Sequence, residues 1–435
     1  MNEDDIIKAE LDALDDSFAT LIDSIPASLI SAPDDFVLDP DLSADPYGAL
    51  CGVRDRAGYV VAGEGDSFAG VEITDLFGHR LAEGRPRYIV LGADEMDRIA
   101  MAPKEFVNER AYGLHQESLG RIPTLTDGRE HTLLRGLYNQ VLNHRAMASR
   151  AETLVGPITR FLVERMAARF AKGQPVDLNR DLALPLTYKA MSTMIGVPQD
   201  RFAEFVRLGE QLFTAPIQPD QGAGAAAALH EFYMEEIAIR KKQPRRDMIS
   251  WLLEAEVEGE KFTDEDVAIH ARFLLPAGIE TTWRQLALMF VALLTHPDQY
   301  SAVCADDSLI PATIEEAFRY LPSGFVVPRI AAQTVEVGGV TIPEGAGLIE
   351  FQGIINRDPR RWDAPDRFDI RREAKPHRTF HLGTHTCAGQ HLARLEMQTV
   401  LAEVTRAFPA LTLDADLSIR GLTVRTPMAL PVRLA

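Results

Sequence analysis

Apolar residues recur every three to four positions through 130–145, 151–172, 181–195, 200–213, 224–241 and 246–257, with Gly and Pro at the breaks. That spacing predicts a succession of amphipathic helices, and another is expected over 311–321. Before them, GYVVAG and RPRYIVLG, between 57 and 92, read as strands. VEVGGVTIPEG reads as a hairpin turning at Gly338–Gly339. From about Asn356 to Thr379 no period is visible, and such length without pattern is usually functional or covered by other structure.

The longest helical signal starts at Thr263, an N-cap followed by Asp264, Glu265 and Asp266, whose charges suit the positive end of a helix. It runs to about Thr295, a span of roughly 50 Å at a rise of about 1.5 Å per residue, enough to cross a domain. Pro276 falls in its middle, removes an amide donor and crowds the Arg272 carbonyl, so the helix should be kinked or opened at AGIETT. Residues 1–44, acidic and broken by Pro26, Pro33 and Pro40, read as a loosely attached lead-in with one short helix, and 45–435 as a single domain. The Ala-Gly run at 222–228 reads as a mobile connection, with a lid as one use for it.

Composition narrows the function classes. The 435 residues are 46% hydrophobic and can bury a large core. The net charge of −19, with no basic block, argues against a nucleic-acid partner. The longest apolar run, Leu286 to Leu294, is well short of the roughly 20 residues that span a bilayer. An acidic amino terminus and an odd count of three cysteines point to a reducing, cytoplasmic setting. Cys51 and Cys304 read as ordinary core residues.

Chemistry concentrates in FHLGTHTCAGQHLAR, residues 380–394. His381, His385, Cys387 and His391 have the number of ligands a structural zinc site needs. Against zinc, LARLEM reads as a helix that would place Cys387 at its N-terminus, where amides and dipole favour a thiolate. Gly383 and Gly389 flank the cysteine as they would if backbone passed close to a flat group. His391 alone reads as a plain helix residue.

The pattern F-x-x-G-x-H-x-C-x-G, filled by Phe380, Gly383, His385, Cys387 and Gly389 and followed by LAR, resembles the proximal haem loop of the cytochrome P450 superfamily. The likeness runs in order from about Asp45 onward. It implies a mainly α fold with small β-sheets, prism-like, with a long central helix over haem b. Cys387 would be the axial ligand of iron, with Phe380 packed beside it. Glu316 and Arg319 of EEAFRY would pair on one helical face and join Arg367 of APDRF in a structural trio. Ala277 and Gly278 would open the central helix for dioxygen, and Glu280 and Thr281 would be the acid and alcohol that deliver protons. His131, Arg135, Arg329 and His385 would hold the haem propionates.

The same resemblance places a substrate pocket at the 108–122 loop, Phe273, Leu274, Ala277, Phe325, Val326, Val327 and the turn at Pro427–Met428. It implies a monooxygenase acting as a single copy on a small hydrophobic compound. Electrons would come from NAD(P)H through a ferredoxin, or flavodoxin, and its reductase, because only 48 residues follow Cys387. Arg371, Arg372, Lys375, His377 and Arg378 form either a docking patch for that partner or a solvated loop. A haem-thiolate sensor without turnover would share Cys387 but not need Glu280 and Thr281; a peroxide-driven enzyme would tend to carry other groups there. Glu280 could also be plain helix surface, and His131 and Arg135 an exposed face. His381 and Ala388 stand where the family more often has Gly and Leu, which implies altered hydrogen bonding near the thiolate.

Overall fold

The computed structural model describes residues 18, 22, 30, 39–73, 84–109, 111, 120–142, 151–213 and 219–435. The helices that build the site are α1 (Pro46–Ala57), α2 (Gly128–Val141), α3 (Leu184–Ile195), α4 (Pro219–Lys242), α5 (Asp264–Leu275), α6 (Thr281–Leu294), α7 (Ile310–Tyr320) and α8 (Gln390–Ala407). Strands β1 (Val60–Ala62), β2 (Arg87–Val90), β3 (Phe106–Val107), β4 (Val326–Ala331), β5 (Val335–Val337), β6 (Val340–Ile342) and β7 (Gly347–Phe351) lie to one side.

Five strands form one sheet in the order β1-β2-β7-β4-β3, in which only β2 and β7 run parallel. Alternation sorts its side chains. Val61, Ile89 and Ile349 join Leu50 and Val53 of α1 in one core, whereas Val60, Tyr88, Val90 and Leu348 form another on the opposite face. Hairpin β5–β6 turns at Gly338 and Gly339 with φ of 56° and 78°, the left-handed values that favour glycine in a two-residue turn.

The long helix is present as α5 and α6 joined by a π-helical turn, Pro276–Glu280. Thr263 and Asp266 form a reciprocal capping box at its start. Every residue from Thr282 to Leu294 is buried, as expected of a helix that is apolar nearly all round and runs through the main core.

Two expectations fail. The Ala-Gly run lies inside α4, a continuous 24-residue helix, because four successive alanines have the highest helix propensity and offset the two glycines. The lead-in is not wholly loose, since Phe18 and Ile22 are buried in the main core, Phe18 edge-on to Phe202. Its remaining expectations, outside 18, 22, 30 and 39–44, lie beyond the described residues.

Candidate active site

A cavity of about 390 Å³ lies between the π-turn and the N-terminal end of α8, inside the range of about 300–1,000 Å³ usual for ligand pockets. Phe273, Leu274, Ala277, Gly278, Thr281 and Thr282 line it from the long helix. The turn exists because Pro276 has no amide hydrogen and its ring cannot sit against the carbonyl four residues back. The Thr281 hydroxyl donates to the Ala277 carbonyl at 2.9 Å and faces the cavity. Glu280, by contrast, is buried off the cavity in an ion pair with Arg284, whose Nε donates to Thr426 Oγ1 at 2.8 Å. Neighbours on a helix diverge by about 100°, and here Glu280 points into the core while Thr281 faces the cavity.

Opposite this wall, Cys387 opens onto the cavity, and its amide donates to the Phe380 carbonyl at 2.9 Å. Burial pushes the Cys387 thiol up, and the Gly389 and Gln390 amides, with Arg135 and Arg394, offset this only in part. A cationic ligand is what would ionise it. Phe380 also borders the cavity, edge-on to Phe318 at 4.6 Å and under the Arg394 guanidinium at 4.5 Å. Gly389 lines the cavity with open space at its Cβ position, whereas Gly383 is needed elsewhere: its φ is 66° and a side chain there would strike the Ala100 carbonyl.

The four zinc candidates do not converge, and among the described residues no group of three or more His, Cys, Asp or Glu is placed to hold a metal ion. His385 contacts Asn108 at 3.1 Å and Asp127 at 3.2 Å, while His381 contacts Arg329 and Glu350 and His391 sits exposed on α8. Cys51 and Cys304 are free and pack, partly buried, against two different cores.

His131, Arg135, Arg329 and His385 all border the cavity, so α2, β4 and the cysteine loop bring together the four cationic positions. The His131 and His385 rings are 4.2 Å apart, and Arg135 donates to the Thr386 carbonyl at 2.5 Å. His131 is held at about 4 by burial and by the neighbouring His385 and Arg135, and its Nε2 is buried without a hydrogen-bond partner. A buried ring nitrogen without a partner, beside the Arg135 guanidinium, is a place for an anion to bind. Burial also lowers His385, although Asp127 opposes it. Asp127 itself is held below the usual carboxylate range, its burial outweighed by His385 and the Glu109 and Asn108 amides.

Glu316 and Arg319 form a buried bidentate pair, with bonds of 2.7 and 2.8 Å. The third member is not Arg367, whose side chain is 69% exposed beside Asp369 and which contributes only a carbonyl to Arg319. Arg372 takes that place, its Nε 3.2 Å from Glu316 Oε1. Of the basic cluster, Arg378 is paired bidentately with Asp97 and His377 with Glu315, leaving Arg371 and Lys375 exposed.

Among the pocket candidates Phe273, Leu274, Ala277 and Val327 line the cavity, whereas Phe325, Val326 and Met428 do not. Phe325, just ahead of β4, is instead buried against Tyr47 and Phe351. The 108–122 loop is described only at 108, 109, 111 and 120–122, of which Asn108 lines the cavity. Met191, Met248, Tyr138, Gln285, Glu396 and Met397 also line it, and no motif pointed to them. Burial raises the Glu396 carboxyl to about 8.

These features define a mainly helical protein with a cavity between a thiol and an opened helix turn, bordered by Arg135 and Arg329. Residues 222–417 match the family model described as Cytochrome P450. The chain is 36% identical to Cytochrome P450 107B1 of Saccharopolyspora erythraea over 316 residues, 71% of this chain and 76% of that protein. It is 33% identical to 6-deoxyerythronolide B hydroxylase of the same organism, covering 71% and 77%. The structure of Cytochrome P450 CYP109Q5 from Chondromyces apiculatus superposes with a TM-score of 0.76 at 27% identity, covering 91% and 97%. The chain belongs to the cytochrome P450 family, and it is a monooxygenase with a haem cofactor. Among the described residues no helix is long and apolar enough to cross a membrane.

Proposed function

We propose that this chain hydroxylates or otherwise oxidises a small hydrophobic compound at a haem b held by Cys387, with electrons from NAD(P)H delivered by a separate ferredoxin, or flavodoxin, and its reductase. The observation that carries the reading is the meeting, on one cavity, of Cys387, the Arg135 and Arg329 guanidiniums, the unpartnered His131 Nε2 and the Thr281 hydroxyl. The residues fit haem: Cys387 Sγ would hold the iron, and His131 Nε2, Arg135 and Arg329 would hold the propionates, with His385 tied to Asp127 and so orienting His131. Haem supplies the centre at which O₂, two electrons and two protons become water and one oxygen atom inserted into a C–H bond.

The protein's part is to place groups. Thr281 Oγ1, whose hydrogen is donated to the Ala277 carbonyl, turns its lone pairs to the cavity and would position a water that carries a proton inward. Glu280 acts behind it: exchanging its Arg284 partner for water would bring a proton to the back of the turn. Phe273, Leu274, Met191 and Val327 orient an apolar substrate and exclude bulk water.

The test is spectroscopic. The reduced CO complex should show the red-shifted Soret band of thiolate ligation, and Cys387→Ser should lose it; a retained band would refute the ligand assignment. Titration with terpenes, steroids, fatty acids and substituted aromatics should then produce a saturable low-to-high-spin shift with one class. Thr281→Ala should consume reductant with little product, whereas a sensor would be indifferent to it.

A further inference from the structure

Arg329 and His381 both border the cavity, and both lean on Glu350, a residue that no motif singled out. Glu350 lies on β7 with 0% exposure, two positions beyond Leu348, which pairs across the sheet with Arg329. Alternation therefore puts Glu350 and Arg329 on one face. Glu350 Oε2 is 3.7 Å from Arg329 Nε and 3.1 Å from His381 Nε2, and that nitrogen is 3.0 Å from an Arg329 terminal nitrogen. Glu350 Oε1 is buried without a hydrogen-bond partner.

A carboxylate taken wholly out of water needs positive charge and donors beside it. Arg329 supplies one charge, but an anion reaching Arg329 from the cavity would leave two anions sharing one guanidinium. His381 resolves this. Its Nδ1 faces the Leu382 carbonyl at 3.0 Å and so carries a hydrogen. Its Nε2 then either accepts from Arg329 or, protonated, donates to Glu350. His381 also holds φ at 57°, a left-handed conformation costly to any residue with a Cβ, at a position where glycine would be free of that cost.

We propose that Glu350 and His381 are positioning residues for the anionic edge of the cofactor, Glu350 anchoring Arg329 from behind and His381 serving as the counter-cation that lets a cofactor carboxylate and Glu350 share one corner. The proposal rests on the haem reading above. It also makes Glu350 a fixed negative charge behind the Arg329 corner of the cavity, which would favour the oxidised state of a cofactor held there.

The test uses purified holoenzyme and three measurements on each variant: the reduced CO band, the midpoint potential, and the rate of haem loss to a scavenging apoprotein. Glu350→Gln should keep the band and shift the potential upward. His381→Gly relieves the backbone, so the fold is not at risk, yet it should lose haem about tenfold faster because Glu350 then opposes the cofactor carboxylate. The double variant should return to within about threefold of the natural rate, because the anion that needed His381 is gone. An unmoved potential in Glu350→Gln, or a double variant that loses haem as fast as His381→Gly, overturns the proposal. Should Glu350→Gln not accumulate, His381→Asn, which tolerates left-handed backbone but takes no charge, must lose haem as fast as His381→Gly; the natural rate there overturns it equally. A natural chain without the thiolate CO band would instead overturn the haem reading, whereas a normal band with unmoved variants overturns this inference alone.

Discussion

Arg319 and Arg372 show how far a residue can be read from its neighbours in sequence. Glu316 and Arg319 share one helical face, so their pairing follows from spacing alone. The partner from the irregular stretch does not: Arg367, Arg371 and Arg372 are equally basic, and only the path of the chain decides which turns inward. Arg372 reaches Glu316 and the carbonyls of Asp363, Ala364 and Arg367, whereas Arg367 reaches, among the described residues, only Asp369 at the surface. Arg372→Ala should therefore destabilise the chain by about 2 kcal/mol, the scale of losing a charge-assisted bond to the buried Glu316 carboxylate. Arg367→Ala should cost about 0.5 kcal/mol or less. Urea unfolding of the two variants separates the assignments, and equal costs would show that the pairing has been misjudged.

At the scale of elements, the helices were legible because their determinants are local: apolar period, the Thr263 cap, the proline that opens the turn. The failure at 222–228 is also local: Gly222 and Gly224 suggest a break, but Ala225 to Ala228 directly after them favour helix more strongly. What local reading could not supply is which helix meets the opened turn. Met191 of α3 does, and a Cβ on Gly278 would overlap its terminal methyl. Alanine is a better helix former than glycine, so Gly278→Ala should fold, but it should push the flexible Met191 side chain into the cavity. Substrate affinity, read from the spin-state titration, should fall about tenfold, the effect of about 1.4 kcal/mol of lost packing space. Adding Met191→Ala should restore it to within about threefold; if it does not, Gly278 matters for the turn's own geometry and not for the space Met191 fills.

Over the whole molecule, contacts between distant segments decide what the sequence leaves open. His131 meets His385, Glu350 meets His381, and both pairs depend on sheet order and helix crossing, not on any spacing along the chain. The same holds for the basic cluster ahead of the cysteine loop. Five adjacent cationic candidates suggest strong steering of an acidic partner, but Arg372, His377 and Arg378 are each committed to an internal carboxylate. Arg371 and Lys375 stay exposed, on a molecule whose net charge is −19. An acidic electron carrier is thus repelled at long range and attracted only where those two side chains dominate, within a screening length of about 8 Å at physiological salt. Reversing both, Arg371→Glu with Lys375→Glu, should slow partner-driven reduction several-fold at low ionic strength, with the difference shrinking as salt is raised. Reduction by dithionite, which needs no docking, should be unchanged. A partner-driven rate that is the same in the variant at every ionic strength would place the docking face elsewhere and leave the cluster as a solvated loop whose buried members serve the fold.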